Sequence, residues 1–168
     1  MPTVNLRSFR QIVRHNKKNI RNFLARLEKR APRGLDQLKI EADKEAWKKT
    51  DCLDCANCCK TMSPTYTQED IKRISAHLGM TQNAFREKWL YKDRTGDWMN
   101  VKQPCQFLDL TTNMCNIYAV RPRDCAGFPH HHKKMTDYMH MYKQNIEFCP
   151  ATYRMVEFIK EKAANKEI

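Results

Sequence analysis

Residues 52–59 read Cys52-Leu53-Asp54-Cys55-Ala56-Asn57-Cys58-Cys59. Two residues between thiols let both sulfurs turn onto one ion, at about 2.3 Å each for zinc. One such pair is a common pattern; two overlapping pairs followed by an adjacent fourth thiol are a much stronger signal. The ordinary alternative is a small buried hydrophobe, since reduced cysteine is often buried. That alternative suits a single cysteine, but not a group interrupted by Asp54 and Asn57. Neighbouring side chains diverge, so Cys58 and Cys59 either serve different ions or one of them bridges two. The stretch therefore predicts a fold organised around metal-bound sulfur.

Four more cysteines lie downstream: Cys105, Cys115, Cys125 and Cys149. Eight thiols make two tetrahedral sets or one dinuclear site with a bridging sulfur, and spacing leaves the pairing open. Thiolate donors suit zinc, Cu(I) and iron–sulfur clusters. Cys52, Cys55 and Cys58 match the opening of the bacterial ferredoxin run, but its closing Cys-Pro occurs here only at Cys149-Pro150, so that match is partial. Lys60, Arg121 and Arg123 lie close in sequence to these cysteines, where a cation favours thiolate. His130, His131, His132 and His140 are potential zinc partners, although an exposed polar loop is the preferred reading of the run. Glu45, Asp51, Asp54, Glu69 and Asp70 flank the cluster and are read as solvated carboxylates.

The rest of the 168 residues reads as helix. Only four glycines are present, and 41% of the chain is hydrophobic. Leu6, Phe9, Ile12, Val13, Ile20, Phe23, Leu24 and Leu27 recur at three- and four-residue steps with Arg and Lys between them. They predict an amphipathic helix over about residues 5–30. Leu35, Leu38, Ala42 and Ala46 suggest a second helix. Thr67 with Asp70 reads as a capping box, Thr81 as a further helix start, and Ala151–Lys162 as a last helix. Asp93–Asp97 is a turn, with short strands or loops at Trp98–Val101 and around Phe107 and Ile117. The expected fold is mainly α: a small single domain of helices and irregular loops around a cysteine-ligated centre at 50–168, with a basic helical extension at 1–49.

Charge is uneven. Of the net +12, residues 1–50 hold fourteen Lys and Arg against five Asp and Glu, whereas residues 51–168 hold seventeen against fourteen. No secretory signal or bilayer-spanning apolar stretch is visible, which gives a cytoplasmic expectation. Thiols stay reduced there and clustered cysteines bind metal.

The ordered motifs resemble a known family. Cys52-x-x-Cys55-x-x-Cys58-Cys59, then Cys105-Gln106-Phe107-Leu108, then Cys115-x-x-Tyr118-x-x-Arg121-Pro122-x-x-Cys125 are similar to the CxxCxxCC, or YkgJ-like, cysteine-cluster family of zinc- or iron-chelating domains. The Thr67-Gln-Glu-Asp-Ile71 stretch also resembles the family's helix start. The likeness spans roughly residues 50–150. It implies metal-ligand roles for Cys52, Cys55, Cys58, Cys59, Cys105, Cys115, Cys125 and Cys149, and supporting or turn roles for Tyr118, Arg121 and Pro122.

Three function classes follow. The first is a metal-binding protein holding a zinc ion or iron, with the metal mainly structural. The second is an iron–sulfur redox or methyl-transfer-related enzyme, because relatives in the family are associated with Fe–S chemistry in protein lysine methylation. The third is a basic zinc protein that binds nucleic acid, the ribosome or a protein partner through the N-terminal helix, with Phe9 and Phe23 against the ligand; a solvated basic face whose apolar stripe packs inward is the preferred alternative. No P-loop, dinucleotide fingerprint, zinc-protease helix motif or nucleophile elbow occurs. The balance therefore leans away from an enzyme.

Overall fold

The computed structural model describes residues 4–165; the outermost residues of the two sequence segments lie outside that range. Helices α1 (Leu6–Lys29), α2 (Leu35–Lys48), α3 (Cys52–Cys55) and α4 (Asn57–Thr61) come first. Strand β1 (Thr65–Tyr66) precedes α5 (Gln68–His77) and α6 (Gln82–Trp89). Strands β2 (Leu90–Lys92) and β3 (Trp98–Asn100) follow, then a 3-10 turn at Tyr118–Val120, α7 (Arg123–Gly127), α8 (Met139–Asn145) and α9 (Pro150–Ala164). The fold is mainly α, with one small sheet. It divides into two compact units: unit 1 is Met1–Cys55 with Pro129–Ile168, and unit 2 is Ala56–Phe128.

Unit 1 is helical. Asn5 caps α1 by accepting the Ser8 N–H at 3.0 Å, which satisfies one of the first-turn donors. The apolar stripe then buries Phe9, Val13, Ile20, Phe23, Leu24 and Leu27, and α1 packs against α8 and α9. Ile12, which the periodicity places in that stripe, is instead 48% exposed, because it falls one residue ahead of the buried face. Burial of Phe9 and Phe23 also corrects the idea that their rings face a ligand; the stripe packs inward. Gly34, at φ +83°, makes the left-handed turn into α2, and α2 lies along α9. Tyr142, Met135, Met139, Ile146, Met155 and Ile159 complete the core.

Unit 2 is built on a three-stranded antiparallel sheet in the order β1-β3-β2. The β2–β3 hairpin turns at Asp93–Asp97, where the Asp93 carboxylate accepts the amides of Thr95 and Asp97 at 2.8 and 3.0 Å. Helices α5 and α6 pack on each other, and Phe85, Ile71, Ile74, Tyr66, Leu90, Phe107 and Ile117 form the core. The capping box at Thr67 and Asp70 is present. Around Phe107 and Ile117 only one isolated bridge forms, between Leu108 and Cys115.

Candidate metal centre

All eight cysteines carry reduced thiols. The division into units falls inside the clustered run, between Cys55 and Ala56. Ala56 is the reason the helical path breaks there. It adopts a left-handed conformation at φ 44°, which a residue with a Cβ takes at a cost, and so separates α3 from α4. Unit 2 then holds Cys58, Cys59, Cys105, Cys115 and Cys125; unit 1 holds Cys52, Cys55 and Cys149.

In unit 2, four sequence segments contribute thiols that sense one another. Burial raises the pKa of Cys125, and the charges of Cys59, Cys105, Asp124 and Cys115 raise it further. Burial likewise raises Cys105, with added repulsion from Cys59 and Cys115. Cys115 is raised by burial and by Cys59, while the Arg121 guanidinium acts in the opposite direction. The Cys58 and Cys59 sulfurs lie 3.9 Å apart on α4. Backbone pairing fixes part of the group: the Cys105 N–H donates to the Cys59 carbonyl at 2.8 Å.

Amide hydrogens are aimed at two of these sulfurs. The N–H of Phe107 serves Cys105 and that of Ile117 serves Cys115, each two residues on. The two turns are matched by the Asn116 N–H donating to the Phe107 carbonyl at 2.8 Å and by the Leu108–Cys115 bridge. Hydrogen bonds to the charged form favour thiolate. A third donor is Asn100, whose Nδ2 points at the Cys105 sulfur at 3.4 Å. Its orientation is set from the other end, where Oδ1 accepts the Tyr66 hydroxyl at 2.6 Å and the Gln106 amide at 2.9 Å. Burial and the charges of Cys105, Cys125 and Cys115 push the Tyr66 phenol well above its ordinary range, so it remains a donor.

Asp70 positions the segment that carries Cys125. It is fully buried, a correction to its reading as a solvated carboxylate. It accepts the Thr67 amide at 3.0 Å and hydroxyl at 2.7 Å, the Arg73 guanidinium at 2.7 Å, and the Arg123 amide at the start of α7 at 3.1 Å. Burial alone would raise its pKa, but these donors together hold it below the ordinary carboxylate value. Arg121 donates to the Tyr118 carbonyl at 2.7 Å and lies over the Tyr118 ring at 3.9 Å, and Pro122 leads into α7.

Unit 1 places Cys52 and Cys55 at the two ends of α3, a turn started by Asp51, which accepts the Leu53 N–H at 2.9 Å. Cys149 precedes α9 and is buried. Burial pushes its thiol up to about 11, and the nearby Cys55 adds to that, while the amides of Thr152 and Ala151 offset part of it. Of the histidines, His132 and His140 are exposed. His131 is buried, correcting its place in an exposed loop, and both its ring nitrogens are engaged, by Asp43 and by Thr152.

The sulfurs of unit 2 are neighbours without being gathered to ligand distance: among the described residues, no three His, Cys, Asp or Glu side chains already stand in the arrangement that holds a metal ion. The donor chemistry nevertheless fits a thiophilic metal. Crowded thiolates repel each other, and a divalent cation reverses the sign of that interaction. Asn100, Tyr66, Asp43 and Thr152 had no signal in cysteine spacing; each acts through the tertiary fold.

The chain belongs to the CxxCxxCC family, whose model, described as "Putative zinc- or iron-chelating domain", matches residues 51–150. It is also 31% identical over 81 residues to an uncharacterized protein of Methanocaldococcus jannaschii. That alignment covers 47% of this chain and 43% of the relative, so the chain spans less than half the relative's length. No solved structure matches. Among the described residues, no helix is long and apolar enough to cross a membrane.

Proposed function

We propose that this protein chelates zinc or iron through thiolates, with Cys59, Cys105, Cys115 and Cys125 of unit 2 as a four-sulfur set. Cys58 stands beside that set, and Cys52, Cys55 and Cys149 are further sulfur donors in unit 1. The observation that carries the reading is that four cysteine-bearing segments meet: the Cys105 N–H donates to the Cys59 carbonyl at 2.8 Å, the Leu108–Cys115 bridge joins the next segment, and Asp70 anchors the start of α7 that carries Cys125. The metal-binding region lies within 50–168, and 1–49 is the basic helical segment that precedes it and packs on its last helices. A reducing compartment such as the cytoplasm suits it, because the thiols must stay reduced to bind.

The metal's role is structural. A four-thiolate zinc site contributes folding free energy on the order of 10 kcal/mol. An iron–sulfur centre with redox or methyl-transfer chemistry is the competing assignment, and one preparation separates the two. Protein purified anaerobically is analysed for zinc, iron and acid-labile sulfide, with its absorption spectrum. Stoichiometric zinc and a colourless sample support the structural reading; brown colour with sulfide supports the cluster. A chain that takes up neither metal, and whose eight thiols all react with a thiol reagent in excess zinc, refutes both.

A second reading concerns the outward face of α1, where Arg7, Arg10, Arg14 and Lys18 are exposed at successive turns. Such a row suits the phosphates of a nucleic acid. Binding to RNA or DNA that weakens steeply with salt supports it, and salt-independent or absent binding removes it.

A further inference from the structure

Unit 1 contains a buried polar chain that ends on a cysteine. His131 is 7% exposed and Thr152 is fully buried. The His131 Nδ1 lies 2.5 Å from the Asp43 carboxylate, and its Nε2 lies 2.9 Å from the Thr152 hydroxyl. That hydroxyl is hydrogen-bonded in turn to the Cys149 side chain. Burial lowers the His131 pKa, against the pull of Asp43. The Thr152 hydroxyl thus stands between the ring and the sulfur: its hydrogen bond to Cys149 favours the thiolate, and its oxygen lies beside Nε2. Tyr142 stacks on the ring with centroids 6.0 Å apart and planes at 7°, and Trp47 lies on it at 6.1 Å, so the imidazole has little freedom to turn.

An acid, an imidazole and a hydroxyl in this order are the parts of a nucleophile triad. Here the hydroxyl is shut away in the first turn of α9, where a substrate carbonyl has no approach, so the arrangement does not act as one. Its free end is a thiol that lies within electrostatic reach of Cys55. A hydrogen-bonded partner behind a ligand fixes the ligand's orientation and tunes its affinity.

We propose that Asp43, His131 and Thr152 are positioning residues for Cys149, holding its sulfur beside Cys55 in the orientation from which it binds a thiophilic divalent metal. This rests on the thiolate reading above and gives the unit 1 cysteines a positioning apparatus of their own. The imidazole supports the sulfur without binding the ion, because neither of its nitrogens is available.

The test uses the full chain and measures zinc and cobalt affinity by competition with a chromophoric chelator, with far-ultraviolet circular dichroism as a check on folding. Thr152→Val is expected to weaken loading by about tenfold or more while the helical signal stays unchanged. Thr152→Ser, which keeps the hydroxyl, restores it. In a Cys149→Ser background, Thr152→Val has no further effect, because the sulfur it served is gone. Asp43→Asn provides the same comparison if Thr152→Val does not fold. Wild-type affinity in Thr152→Val, or an equal loss with and without Cys149, overturns the proposal while leaving the thiolate reading intact. Wild-type protein that binds neither metal overturns both.

Discussion

In unit 1, Cys149 leads into a fifteen-residue helix whose buried face, including Met155, Val156 and Ile159, belongs to a conventional helical core. In unit 2, Cys105 and Cys115 lie on irregular chain, packed against a core of seven buried side chains. The first environment holds its thiol with a side-chain relay anchored on packed helices. Both units set backbone amides just beyond the sulfur, those of Ala151 and Thr152 in unit 1 and of Phe107 and Ile117 in unit 2; the second adds Asn100, from a strand, behind Cys105. The contrast teaches that the same ligand chemistry asks different things of regular and irregular structure. On the proposed reading, a helical core orders its cysteine through packed side chains, and a loop core relies on the ion to finish its folding.

The sharpest way to break this contrast is to remove metal. Chelation should abolish amide exchange protection across residues 105–125 and leave α1 and α9 protected, a difference on the order of 10 kcal/mol per structural zinc. Equal loss in both units, seen by hydrogen exchange with mass spectrometry, would erase the distinction.

Two substitutions then compare what each unit relies on when metal is present. Leu24→Ala in unit 1 should cost about 3 kcal/mol in urea unfolding, the usual range for a fully buried leucine, and leave metal affinity alone. Asp70→Asn in unit 2 should cost about 3 kcal/mol as well, since an amide turns a donor toward groups that already donate. Unlike Leu24→Ala, it should also weaken metal uptake, because the start of α7 and with it Cys125 lose their anchor.

Acid should separate the units more gently. The folded-state pKa of Asp70 is depressed below its 3.8 reference. Its contribution is therefore complete above that value and is lost as pH falls below it, through the lower folded value. An acid titration of chelator-treated protein at constant ionic strength should show a stability loss in this window that Asp70→Asn no longer shows. The smallest effect belongs to Ile12→Lys, expected within about 0.5 kcal/mol of wild type by thermal melting, because that side chain is exposed.

Much of the fold was legible from local pattern. The stripe from Phe9 to Leu27 gave α1, Thr67 with Asp70 gave the start of α5, and Thr81 that of α6, because periodicity and caps are properties of neighbouring residues. Strands β1 and β2 were not legible: two or three residues carry no periodicity, and their pairing with β3 depends on residues six to thirty-four positions away. Helix α8 was missed for a related reason. Its buried Met139, Tyr142 and Asn145 are chosen by what packs on them and not by a distinctive spacing.

The sequence by itself determined which atoms are available for the chemistry. Eight sulfurs in an ordered set of motifs define the set of soft donors, since softness is intrinsic to the side chain. Tertiary structure alone decided which sulfurs are neighbours and what stands behind them. It split the clustered run at Ala56, turned Asn100 toward Cys105, and withdrew His131 from the ligand candidates by engaging both of its nitrogens. Proximity and hydrogen-bond direction depend on chain segments remote in sequence, and these become fixed only when the cores on which they rest have formed.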